Sequence, residues 1–140
     1  MIGGPLDLRR FPAHLGLGAA ALSLPEMAGA DWYEAYAART AADGDEGRLV
    51  SLHDFDSDWT AWEMHPAGDE VVICISGAIT VIQQRAEGAV EAIALKAGEY
   101  AINPAGVWHT ANVADAASVL FITPGLGTDH RPRSGLQADE

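Results

Sequence analysis

The 140-residue chain carries 20 Asp and Glu against eight Lys and Arg, a formal charge of −12, with 49% hydrophobic and 20% charged residues. That length holds one domain around a single core, and the composition is that of a folded chain rather than a disordered one. An acidic surface repels phosphate backbones and anionic lipid, so neither a nucleic-acid nor a membrane partner is expected. No apolar run approaches the roughly 20 residues that span a bilayer. A lone cysteine, Cys74, excludes an internal disulfide framework and a cysteine-rich zinc site, and it suits a reducing, cytoplasmic location.

Taken in chain order, residues 1–47 read as an N-terminal arm and a short helix packing on a barrel. Arg9-Arg10 ahead of Leu15–Leu24 superficially suggests an export signal, but Asp7, Pro12 and His14 interrupt it, so a structural arm of short extended pieces is expected. Asp31 is placed to cap a helix from Trp32 to about Ala42, with Glu34 at its positive end and Trp32, Tyr36 and Arg39 on one face. Asp43-Gly44-Asp45 ends it. Gly16 to Ala21 mimics a dinucleotide fingerprint, but no buried strand precedes it.

From Arg48 the character changes. Runs rich in Val, Ile, Thr and aromatics recur near Leu49–Leu52, Thr60–His65, Val71–Ile75, Ile79–Gln83, Ala89–Leu95, Tyr100–Asn103, Trp108–Val113 and Ser118–Thr123. Turn signals separate them, among them Pro66-Ala67-Gly68-Asp69, Ser76-Gly77 and Pro104-Ala105-Gly106. Many short strands with Gly/Pro turns predict an all-β sandwich or barrel. In Val71–Ile75, Val72 and Cys74 face one way and Val71, Ile73 and Ile75 the other. A sheet apolar on both faces needs an outer cover, supplied by the arm or by a second copy, which points to a homodimer. Residues 126–140 read as a C-terminal tail.

Two blocks carry the chemistry. In Trp62-Glu63-Met64-His65, Glu63 and His65 are two apart on a strand and share a face, while Trp62 points away. After the turn, Glu70 begins a strand in register with Val72 and Cys74. In the second block, His109 shares a face with Val107, Ala111 and Val113. Glu63, His65, Glu70 and His109 thus converge on an interior face, and two imidazoles with one or two carboxylates suit a divalent ion such as Mn, Fe or Zn. A buried carboxylate without a cation is strongly unfavourable, and neither block contains a basic residue.

These blocks resemble the two motifs of the cupin superfamily, G-x5-H-x-H-x4-E-x6-G and G-x5-P-x-G-x2-H-x3-N. His65, Glu70 and Gly77 match the first; Gly98, Pro104, Gly106 and His109 match the second. The resemblance covers about residues 48–125 and implies a double-stranded β-helix, a jelly-roll barrel with a metal near its mouth. Three positions depart from it. Glu63 replaces the first histidine, Ser57 stands at the opening glycine, and Val113 at the closing asparagine, with Asn112 one place early.

Glu63 then has three readings: a fourth ligand, a free carboxylate acting as general base, or a glutamate paired with an arginine. His130, beyond the last strand, either folds over the mouth as a proton donor or belongs to a surface tail. Arg131 beside it is placed to bind a carboxylate or phosphate. The expectation is a metal-dependent enzyme, of isomerase, epimerase or dioxygenase type, on a small oxygenated organic substrate. The alternative is a barrel that binds a metabolite without turning it over.

Overall fold

The computed structural model describes residues 4–133; of the arm and tail read from sequence, residues 1–3 and 134–140 lie outside the described residues. Ten strands and one α-helix follow in order: β1 Ala13–Leu15, β2 Ala21–Ser23, α1 Trp32–Arg39, β3 Arg48–Phe55, β4 Ala61–Met64, β5 Glu70–Gln84, β6 Val90–Lys96, β7 Tyr100–Asn103, β8 His109–Asn112, β9 Ala117–Thr123 and β10 Asp129–Pro132. All pairings are antiparallel. One sheet runs β2-β1-β3-β9-β5-β7 and the other β10-β4-β8-β5-β6. The fold is an all-β jelly-roll barrel: the turn spacing predicts a sandwich or barrel, and the motif resemblance implies the jelly roll.

The two sheets share β5. The sequence predicts separate strands over Val71–Ile75 and Ile79–Gln83 with a turn at Ser76-Gly77; instead one 15-residue strand bends there. Its register against β9 slips between Cys74 and Ser76, a bulge that redirects the strand from one sheet to the other. Gly77 makes the bend possible. It sits at φ +74°, and a Cβ there would lie 2.0 Å from the carbonyl oxygen of Ala116.

That bend lets β5 contribute twice to the core. Val72 and Cys74 come from its first half and Ile79 and Val81 from its second, packed with Ala111, Val113, Val119 and Phe121. Each large aliphatic or aromatic side chain so buried contributes on the order of 2 kcal/mol. Both ends of β5 return to the same end of the barrel, where Glu70 and Gln83 lie buried.

The arm adds β1 and β2 to the edge of β3. Leu24, Trp32 and Leu49 form a second buried cluster that seats α1 against the barrel. The helix stops at Arg39, short of the expected Ala42, and a tight 3-10 turn over Ala41–Glu46 follows. Asp31 stands at its N-cap position but makes no side-chain capping bond. His14, fully buried on β1, ties the turn and helix together: Nδ1 lies 2.7 Å from the Tyr36 hydroxyl and Nε2 2.6 Å from Asp43. Asp43 is drawn inward by this contact, which holds its carboxyl below the usual range. Gly47 is required beside it, since a Cβ there would meet His14 Cε1 at 2.7 Å.

Candidate metal centre

Pairing across the second sheet fixes the first three site residues. His130 on β10 stands opposite Glu63 on β4, Glu63 opposite His109 on β8, and His109 opposite Gln83 on β5. These four make one cross-strand row. Side chains in such a row share a face, so neighbouring residues are brought together by register alone. His65 follows β4 directly, and Glu70 opens β5 after the Pro66–Asp69 turn.

The structure brings together all four residues singled out from sequence. Glu63 Oε1 lies 3.8 Å from both His65 Nε2 and His109 Nε2. Glu70 approaches from the other side, with Oε2 3.4 Å from His65 Nε2 and Oε1 3.2 Å from His109 Nε2. His65, Glu70 and His109 are buried, and Glu63 is half-buried at the cavity floor. Glu63, His65 and His109 each offer one donor atom within 4.8 Å of the others.

Hydrogen bonds behind the imidazoles set which nitrogen faces inward. Thr128 Oγ1 donates its proton to the Gly125 carbonyl at 2.8 Å, so it accepts from His65 Nδ1–H, also at 2.8 Å. His109 Nδ1–H points, at a longer 3.4 Å, to the Val107 carbonyl, which can only accept. In the neutral rings both Nε2 atoms therefore present lone pairs. Both are buried and lack a hydrogen-bond partner. Two lone pairs facing carboxylate oxygens repel unless a cation or proton sits among them. Metal–ligand bonds of about 2.0–2.2 Å place neighbouring donors about 3.0–3.5 Å apart, close to the spacings here. The donor set and its orientation fit a divalent cation.

Glu70 is held from behind as well. Oε1 accepts from Asn103 Nδ2 at 3.0 Å and Oε2 from Thr123 Oγ1 at 2.7 Å. Gln83 Nε2 donates to Asn103 Oδ1 at 2.9 Å, so a Gln83–Asn103–Glu70 chain links the two ends of β5. Burial alone would push the Glu70 carboxyl up, but His109 and His65 outweigh it and hold it far below the usual range. Burial disfavours a charged His109, yet the carboxylates of Glu63 and Glu70 raise its pKa to about 9. Without metal, a proton takes the cation's place.

His130 lies on β10 rather than in an irregular tail, with Nε2 3.5 Å from Glu63 Oε2 and the ring largely exposed. Glu63 therefore sits among three imidazoles. Arg131 does not line the cavity. Its guanidinium lies 3.8 Å over the Trp108 ring and bonds Gln84 Oε1 at 3.1 Å, away from the centre. Trp62 is fully buried, and Cys74 is a free thiol in the core. Thr128, Asn103, Thr123 and Gln83 escape sequence reading: each acts through another residue, and no local spacing marks it.

A cavity of about 940 Å³ opens above the centre. Glu63, His65 and Glu70 line its floor, α1 and the 41–47 turn its roof, and β3 with Trp59 one wall. The arm and helix thus line this cavity as well as packing against β3.

No family model matches the chain, and no curated protein sequence matches it. Solved structures do. Bacillus subtilis oxalate decarboxylase, a protein with Mn(II) centres, aligns at TM-score 0.52 and 15% identity over 69% of this chain and 26% of its own. Oxalate oxidase in complex with the substrate analogue glycolate aligns at TM-score 0.51 and 20% identity, over 59% and 45%. A cupin-2 domain protein from Shewanella frigidimarina aligns at TM-score 0.46 and 23% identity, over 61% and 71%. The chain spans less than half the length of the two oxalate enzymes. The chain has the cupin fold. Its Glu63–His65–His109 cluster fits a cupin metal site, with glutamate where the motif has its first histidine.

Proposed function

We propose that this protein is a metal-dependent cupin enzyme acting on a small oxygenated organic substrate, with Glu63, His65, Glu70 and His109 holding Mn, Fe or Zn. The observation that carries the reading is the pair of buried, partnerless Nε2 atoms of His65 and His109 aimed at two carboxylates beneath an open cavity. The Mn(II) centres of the structurally similar oxalate decarboxylase agree with a hard divalent ion. When bound, such an ion polarises substrate oxygens as a Lewis acid.

This chain's own residues supply the rest. Thr128 and the Val107 carbonyl fix the imidazole tautomers, and Asn103 and Thr123 orient Glu70. Glu63 is the most exposed of the four, and His130 Nε2 is 3.5 Å from its second oxygen. Glu63 would take a proton from substrate and exchange it with solvent through His130, which can also return a proton to the substrate. Isomerisation, epimerisation and dioxygenation all begin from such a bound and polarised oxygen pair.

The protein is further proposed to be a homodimer, on its exposed outer sheet face, and cytoplasmic, on its one buried free thiol. The test of the site is protein purified without chelator. Stoichiometric metal that is lost in His109→Ala, with turnover lost in parallel, is the expected result. Metal without turnover of any hydroxy-carbonyl or diol would leave a metabolite-binding barrel instead. Metal-free protein that cannot be loaded would overturn the reading.

A further inference from the structure

This inference rests on the metal reading above and concerns what the cavity admits. Aromatic rings run without a break from the centre into the cavity wall. Trp59 meets the His109 ring edge-on at 6.4 Å between centroids, and lies 5.6 Å from Phe55 and 6.0 Å from Phe121. Phe121 in turn lies 5.9 Å from His53. Tyr33 and Tyr36 of α1 line the same cavity. Burial lowers the pKa of His53.

Charge in the cavity is one-sided. Among the described residues no lysine or arginine lines it, whereas Glu34, Asp58, Glu63 and Glu70 do. Five of the chain's seven arginines are engaged elsewhere: Arg9 on Asp54, Arg10 on Glu26, Arg85 on Glu91, Arg131 on Trp108 and Arg133 on Asn112. Two carboxylates already neutralise a divalent ion. A dianion entering there would lie among these carboxylates with no lysine or arginine among the described lining residues to balance it, which is unfavourable. An aromatic diol enters neutral and leaves its proton on Glu63 as it meets the ion, so it adds no net charge to the site, and its ring faces match the walls.

We propose that the cavity takes an uncharged aromatic diol, of catechol's class, rather than a dicarboxylate, with its oxygens at the ion and its ring against Tyr33, Phe55, Trp59 and Phe121. The test is calorimetric titration of the Mn²⁺-loaded protein, under argon near neutral pH, with catechol and with oxalate. Metal loading is measured first in its own titration. Catechol is expected to bind at least about tenfold more tightly than oxalate. Tyr33→Ala and Phe55→Ala are each expected to weaken catechol by about fivefold or more with Mn²⁺ affinity unchanged. His53→Lys, which adds the missing cation, is expected to raise oxalate affinity about tenfold. Oxalate binding as tightly as catechol, or both alanine variants binding catechol like the unaltered protein, overturns the inference and leaves the metal site standing. Failure to bind Mn²⁺ at all removes both.

Discussion

Glu63 and His109 are a direct register pair, the one residue pairing that joins β4 to β8, and their side chains end 3.8 Å apart at the floor of the cavity. The site is thus built at a seam where two strands barely meet. Its geometry depends on the supports behind each ligand more than on the ladder between them.

Thr128 is the clearest such support. Thr128→Val keeps shape but removes the acceptor for His65 Nδ1–H. The ring is then free to rotate or change tautomer. Metal affinity is expected to fall by about 10–100-fold, measured by competition against a chelator, with the melting temperature of the metal-free protein little changed.

The metal-free centre carries a pH signature. His109 has a folded pKa of about 9 against an ordinary 6.5, so its charged form is stabilised by folding. That stabilisation is complete below about pH 6.5 and is lost as pH rises through 9. Thermal melts in chelator are expected to drop across this window. Loading with metal or substituting His109→Gln should flatten the drop. Calorimetry in buffers of different ionisation enthalpy should show proton release on metal binding below pH 9. A melting temperature that is flat in chelator would refute the protonated site.

Gly77 holds the bend that makes one strand serve two sheets. Any side chain there meets the Ala116 backbone and a left-handed φ together. Gly77→Ala is expected to cost about 3 kcal/mol or more in urea unfolding, because neither the carbonyl nor the strand can yield.

The outer face of the first sheet carries two apolar cross-strand rows, Val50–Ile122–Val71–Ile102 and Leu52–Leu120–Ile73–Tyr100. The arm meets this face where Arg9 grips Asp54 and Ser118. Ile75, Tyr100 and Ile102 remain exposed at 46%, 63% and 47%, beside the open edge of β7. Light scattering at micromolar concentration is expected to give a dimer, and Ile102→Asp a monomer. A monomeric unaltered protein would refute the proposal.

Local rules made much of this legible. Alternation put Val72 and Cys74 inside and Val71, Ile73 and Ile75 outside, and Gly/Pro turns set most strand boundaries, because side-chain period and turn chemistry are properties of neighbouring residues. Motif spacing likewise picked out Glu63, His65, Glu70 and His109, since Glu63 and His65 stand two apart at the end of β4, Glu70 opens β5 and His109 opens β8. What spacing does not encode is which distant residues become neighbours. The joining of two expected strands through Gly77, the pairing of β10 that carries His130 to Glu63, the Thr128 bond that fixes His65, and the roofing of the cavity by Tyr33 and Tyr36 all join residues far apart in sequence. Strand register and the packing of the arm settled those, because only a closed barrel brings such segments within bonding reach.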